Sequence, residues 1–254
     1  MFGMIVFQSV SKYYGETPAL ENISLRIEPG KVNVLLGPNG SGKTTLMKLI
    51  LGIIKPDTGK IVVYGHDPAR DPIPIRRIIG YVPEDDALYH SLRVKEYLEF
   101  VARIYGLKQD IAKRSIERVI DAFMLRDKIN EFIGSLSHGY KRRVLLAAAF
   151  IHDPLIYLLD EPFIGIDPRI ARALKTVLKN KATKECLILL STHVLEIAEA
   201  LADNIILLYK GRIISTGSVE EVLEKARTEG LEEAFLSLTR SKLQVEEIIK
   251  ALMG

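Results

Sequence analysis

The chain has one cysteine among 254 residues. A lone cysteine closes no internal disulfide, so a reducing compartment is the natural reading. Cys186 lies in the apolar run CLILL and reads as a small buried hydrophobe. Long apolar runs are missing as well. No window approaches the ~18–20 apolar residues that a helix needs to cross a bilayer. The first ten residues, MFGMIVFQSV, lack the basic start and small-residue cleavage site of a signal peptide. The expected location is therefore the cytoplasm, with any membrane role reached through a partner. Charge of one sign is also scarce. Lys and Arg number 35 against 32 Asp and Glu, a net +3, which is too small to argue for nucleic acid. Gln and Asn are sparse beside Lys, Glu and Arg, a faint mark of heat adaptation. Internal repeats, low-complexity segments and long linkers are absent from the sequence.

What is present is an ordinary globular composition, 48% hydrophobic and 26% charged, on a chain long enough for one large domain. Apolar residues alternate or cluster like strands over 4–10 and 23–27. Short apolar runs over 31–36, 60–64 and 78–82 read as strands, and 44–51 has helical spacing and stops at Gly52. From 84 to about 140 strand-like runs disappear. Val94, Leu98, Val101 and Ile104 recur at helical spacing, as do Ile111, Ile116, Val119, Ile120 and Phe123. This stretch reads as a helical insertion. Strands and helices then alternate again: strand 155–159, helix 168–181, strand 187–191, helix 194–202, and a hairpin over 205–216 turning at Lys210-Gly211. The tail, 219–253, reads as an amphipathic helix. Such alternation predicts a mostly parallel sheet covered on both faces, with ligands at the carboxyl ends of its strands. The expected organisation is one domain over 1–254. Its core is 1–83 and 141–218, its helical part 84–140 and its tail 219–254.

Two motifs fall on that edge. Gly37 to Thr45 reads GPNGSGKTT, and Gly37, Gly42, Lys43 and Thr44 meet the G-x-x-x-x-G-K-[ST] pattern. Its glycines let backbone N–H groups wrap a phosphate, and the following helix aims its positive end at the same anion. Lys43 adds a charge for the β- and γ-phosphates, and Thr44 a hydroxyl for Mg²⁺. The run LIYLLD ends in Asp160, which beside such a loop reads as a Mg²⁺ partner, direct or through an intervening ligand. Glu161 projects differently from Asp160 and is the candidate general base. His193 follows a third predicted strand, a placement equally open to a structural and a catalytic role.

Between these motifs stands LSHGY, Leu136 to Tyr140, close ahead of the strand ending Asp160-Glu161. The combination resembles the ATP-binding cassette (ABC) ATPases over nearly the whole chain, from about residue 7 to about residue 239. The resemblance implies an α/β fold: a P-loop NTPase core with a mostly parallel sheet, an N-terminal antiparallel β subdomain and a helical subdomain insertion. It implies ATP and Mg²⁺ as cofactors and head-to-tail dimerisation on ATP. Gly37, Pro38, Asn39, Gly40, Ser41, Gly42, Lys43, Thr44 and Thr45 would form the nucleotide loop, with Tyr14 (or Tyr13) stacking on adenine. Lys43, Glu161 and His193 would be catalytic, His193 as the switch histidine. Ser137 and Gly139, matching the signature LSGGQ, would contact the γ-phosphate held by the opposite subunit. Gly165-Ile166-Asp167 matches the D-loop. Thr44, Asp160 and Glu84 would face the metal.

Three departures stand out. Glu84 occupies a position usually held by Gln and adds a negative charge near Asp160 and Glu161. His138 and Tyr140 replace Gly and Gln of the signature. Ile164 replaces a small polar D-loop residue. The segment 231–239 and the VPEDDALY context of Glu84 resemble ATPases of ABC-2 type exporters. The expected function is the ATPase subunit that drives a membrane permease, peripheral on the inner face of the cell membrane, with no nucleic-acid partner. The competing reading is a soluble ABC ATPase acting on nucleic acid, ribosomes or cluster assembly. Such proteins carry long coiled-coil arms, zinc cysteines or two fused cassettes, and this chain has none of them.

Overall fold

The computed structural model describes residues 4–239 together with 247 and 250–253. Two sheets organise it. A three-stranded antiparallel sheet is built from β1 (Ile5–Tyr14), β2 (Thr17–Ile27) and β4 (Thr58–Val63), in the order β2-β1-β4. A six-stranded sheet has the order β5-β6-β7-β3-β8-β9. Its strands are β3 (Val32–Leu36), β5 (Ile79–Val82), β6 (Ile156–Asp160), β7 (Leu187–Thr192), β8 (Asn204–Tyr209) and β9 (Arg212–Gly217). All neighbours pair in parallel except β8 and β9, which form the expected antiparallel hairpin.

The strand sequences explain this layering. β3 (VNVLL), β6 (IYLLD) and β7 (LILLST) are buried at every residue, as befits parallel strands covered on both faces. The period-2 alternation of side chains divides them between two apolar layers. Val32, Val34, Leu36, Tyr157, Leu159, Ile188 and Leu190 join the core shared with the helical part. Leu35, Ile156, Leu158, Leu187 and Leu189 join the core beneath the antiparallel sheet and α1 (Lys43–Ile50).

The insertion between β5 and β6 contains no strand. It holds α3 (Val94–Ile104), α4 (Gln109–Ala122) and two short 3-10 turns. The next helix, α5 (His138–Phe150), runs through residue 140, carrying the signature turn at its start and packing against β5. Its stretch from Val144 to Phe150 is buried all round, so it is the central helix that joins insertion and sheet. α6 (Pro168–Ala182) and α7 (Leu195–Leu201) cover the sheet as the crossover and following helices.

One element went unread, and two expectations needed correction. A short helix, α2 (Pro72–Arg77), was invisible to periodicity because it spans six residues with two prolines. The tail is two helices, α8 (Val219–Ala226) and α9 (Leu231–Leu238), before residue 240. Arg227 takes a left-handed conformation, φ 57°, and ends α8 there. Residues 250–253 are helical, while the expected helix over 240–246, 248–249 and 254 lies outside the described residues. Cys186 is half-buried, not buried, at the start of β7. Among the described residues no helix is long and apolar enough to cross a membrane.

Candidate active site

Three adjacent strands, β6, β7 and β3, deliver the site at their carboxyl ends. β3 leads into the glycine loop, β6 ends at Asp160, and β7 ends one residue before His193. This is the edge where the sequence placed the ligand.

The glycine loop is tightly wedged. A Cβ on Gly37 would lie 2.2 Å from the carbonyl of Leu208, so no other residue fits. Gly42 caps α1 at φ 110°, where a Cβ would also meet the Ala19 carbonyl at 2.5 Å. The loop is anchored to its neighbours by Gly37 N–H on Thr192 O, 3.3 Å, and Gly211 N–H on Ser41 O, 3.0 Å. Lys43 is 7% exposed, and its Nζ donates to the carbonyls of Gly37, 2.7 Å, and Pro38, 3.1 Å. Burial pushes the Lys43 ammonium below its usual pKa, opposed by the charges of Glu161, Asp160 and Glu84.

The acidic side is equally ordered. Asp160 is wholly buried, and its Oδ2 accepts from Thr44 Oγ1 at 2.7 Å. Its Oδ1 accepts from Ser191 Oγ. The same Ser191 oxygen accepts the N–H of Glu161 at 3.1 Å. Register makes this possible, because Asp160 and Ser191 are partners across β6 and β7. Glu161 then takes φ 48°, a left-handed conformation unusual for a long side chain. The turn sends its carboxylate away from that of Asp160. Oε1 lies 2.7 Å from His193 Nδ1 and 3.9 Å from Lys43 Nζ. Glu84, in the loop after β5, places Oε2 3.4 Å from Thr44 Oγ1.

Beneath these groups lies Arg142, 1% exposed, on α5. Nη1 donates to the carbonyls of Pro83 and Glu84, and Nη2 to those of Asp160 and Glu161. Sequence reading missed Arg142 and Ser191. Ser191 had a legible signal, its place at the end of a strand two residues before His193. Arg142 had none, since it sits in the run KRR between two partly exposed basic residues.

Above the loop opens a cleft of about 430 Å³, walled by Tyr14, Ala19, Asn39, Gly40, Gly42, Lys43, Thr44, Thr45 and Glu84. Tyr14 is half exposed at its mouth, and Tyr13 is not among its walls. Ser137 and Gly139 are not among its walls either. Ser137 is the N-cap of α5 and makes no capping bond with its side chain. His138 Nδ1 meets Asp86 at 3.1 Å, and Tyr140 OH donates to Asp127 at 3.1 Å. Gly139 packs on the Gly165 backbone, where a Cβ would come within 2.7 Å of its carbonyl. Ile164 is 41% exposed. Asp167 caps α6 and is bound by Arg169, which holds its carboxyl below the usual range.

Comparison with known proteins agrees with this geometry. The family model described as ABC transporter matches residues 20–164. The chain is 35% identical over 220 residues to the ABC transporter ATP-binding protein NatA of Bacillus subtilis (strain 168), covering 86% of this chain and 89% of that one. It is 36% identical over 221 residues to the Nod factor export ATP-binding protein I of Rhizobium etli, covering 87% and 70%. A solved ATP-binding subunit of an ABC transporter superposes with a TM-score of 0.87 at 32% identity, over 93% of this chain and 99% of that one. The dimeric cassette MJ0796 shares the fold, with a TM-score of 0.77 at 24% identity, over 85% and 98%. A glycine loop after β3 and paired acids at the end of β6, on one edge of this fold and with this family match, mean that the chain belongs to the ABC transporter family, as an ATP-binding, ATP-hydrolysing subunit.

Proposed function

We propose that two copies of this chain close head-to-tail on two ATP molecules and drive a membrane permease, as an exporter of the ABC-2 type. The observation that carries the chemistry is the Glu161 carboxylate, 4% exposed, held 2.7 Å from His193 and 3.9 Å from Lys43 beside the glycine loop. Glu161 accepts the proton of the attacking water. His193 fixes the orientation of that carboxylate. Lys43 and the loop N–H groups hold the phosphates, and Tyr14 stacks on the base.

Thr44, Asp160 and Glu84 bring one hydroxyl and two carboxylates together, hard oxygen donors of the kind that suit Mg²⁺. The bound ion would neutralise charge on the β- and γ-phosphates. Ser137 and Gly139 of each copy would meet the γ-phosphate on the other. The export reading is supported by relatives named for export, among them the SkfA peptide export ATP-binding protein SkfE of Bacillus subtilis (strain 168), 35% identical over 219 residues.

The permease would dock beside the insertion. A groove of about 340 Å³ there is lined by Tyr81, Pro83, Tyr89, Tyr97, Phe100 and Ile104, among other residues. Tyr89 stands 58% exposed, edge-on to Phe100 at 5.5 Å. Tyr89→Ala is expected to lower transport by more than it lowers ATP hydrolysis, measured in vesicles holding the whole transporter. Equal loss of both would place the contact elsewhere.

The decisive experiment is Glu161→Gln. Hydrolysis should fall by about 10²–10⁴-fold, and the variant should elute as an ATP-bound dimer in size-exclusion chromatography. A variant that hydrolyses ATP like the parent would remove Glu161 from the role of base.

A further inference from the structure

A cation buried to 1% exposure needs partners, since an unpaired charge in the interior is strongly disfavoured. Arg142 finds its partners in main-chain oxygens. Its two terminal nitrogens divide between two segments that are remote in sequence. Nη1 takes Pro83 O and Glu84 O (3.3 Å to the latter), where the chain leaves β5. Nη2 takes Asp160 O and Glu161 O (2.5 Å to the latter), where it leaves β6. Only a planar fork with several fixed donors spans both segments, and a lysine ammonium is a point donor by comparison.

These bonds satisfy Nη1 and Nη2, while Nε is buried without a hydrogen-bond partner. Burial pushes the Arg142 guanidinium below the usual arginine range, opposed by the charges of Asp160, Asp86, Glu161 and, last among them, Glu84. Glu84 is the carboxylate that the family pattern replaces with a neutral Gln. The site therefore holds one more acid than that pattern has, and a buried arginine lies beneath it.

We infer that Arg142 is a positioning residue whose guanidinium, bridging the carbonyls of residues 83–84 and 160–161, aligns Glu84 with Glu161 and supplies the counter-charge that lets an acid stand at position 84. The inference rests on the proposed roles of Glu84 and Glu161. It also gives α5 a mechanical task, because the helix that Ser137 caps is thereby tied to the floor of its own chain's ATP site.

A cycle of variants tests it: Glu84→Gln, Arg142→Gln, the double variant and Arg142→Lys. Two readouts are needed. The first is the thermal unfolding midpoint of the chain without nucleotide or metal. Glu84→Gln should raise that midpoint in the Arg142→Gln background by about 3 °C or more beyond its effect in the parent. The second is steady-state ATP hydrolysis. Arg142→Gln should lower kcat about 10-fold while the KM for ATP moves less than about 3-fold, and adding Glu84→Gln should restore part of kcat. Equal effects of Glu84→Gln in both backgrounds, on midpoint and kcat alike, would overturn the inference. Should Arg142→Gln yield no soluble protein, Arg142→Lys decides. A reduced kcat at near-parental KM supports the fork, and a parental kcat sinks it. The midpoint cycle needs no hydrolysis, so it stands apart from the Glu161→Gln test of the base.

Discussion

The glycine-loop side of the site and the signature turn belong to one chain and are built in opposite ways. Around the loop, Lys43, Thr44, Asp160, Glu161 and Ser191 bond to one another or to nearby backbone, and Lys43, Asp160, Glu161 and Ser191 are buried. At the signature turn the side chains bond away from the cleft. His138 goes to Asp86, and Tyr140 goes to Asp127 with Arg143 stacked 4.6 Å from its ring. Ser137 makes no capping bond at all. A buried cluster satisfies its own polar groups, whereas an outward-facing turn keeps its donors for another surface. The contrast fits the proposed head-to-tail dimer, in which each copy supplies one half of a site.

The largest effect that could break this contrast is at Ser137. Ser137→Ala should cut ATP hydrolysis by about 10²-fold if the residue serves a partner's phosphate. The same change should leave the melting temperature of the isolated chain nearly unmoved, because the hydroxyl caps nothing. The parent's specific activity should also climb steeply with protein concentration when the permease is absent. A flat specific activity across dilution would mean that one chain suffices.

Ser191 probes the opposite side and should behave in the opposite way. Its oxygen donates to Asp160 and accepts from Glu161 N–H. Ser191→Ala is expected to cost about 1–3 kcal/mol of stability, since it strands two buried groups. Chemical denaturation would show it, together with reduced hydrolysis. Parental stability would mean that the acidic side is less tightly built than its hydrogen bonds indicate.

The smallest effect concerns the platform that carries the turn. His152, just past α5, stacks on Tyr105 at 3.5 Å, and Tyr105 OH donates to Ile79 O. Burial holds the His152 imidazole down at about 4. The unfolded chain therefore takes up this proton first, from about pH 6.5 downward. The stabilisation is whole above that pH and is lost as pH falls toward 4. His152→Phe keeps a ring against Tyr105 and should flatten the melting-temperature profile over this interval. An unchanged slope would assign the acid sensitivity to other groups.

Much of this was legible because the informative signals are local. GPNGSGKTT announces its loop, and the runs ending at Leu36, Asp160 and Ser191 announce three buried strands with chemistry at their ends. Parallel register then does the rest, setting Asp160 opposite Ser191. What was not legible depends on distance or on single dihedral angles. Arg142 differs from Lys141 and Arg143 only in burial, which no pattern in KRR encodes. The tail kept its helical period across Arg227, where one left-handed residue ends a helix that hydrophobic spacing continues. The preference for Tyr14 over Tyr13 came from the resemblance, and Tyr14 is the one of the two that lines the cleft.

The backbone at Glu161 has a consequence for how this chain could be improved or spoiled. A long side chain at φ 48° is held there against roughly 1–2 kcal/mol of conformational preference. Glycine or asparagine would sit in that turn more comfortably. Selection for heat resistance alone would therefore press on this position and tend to erase the acid. Thermostable descendants of this chain that still turn over ATP should carry their gains everywhere except at residue 161.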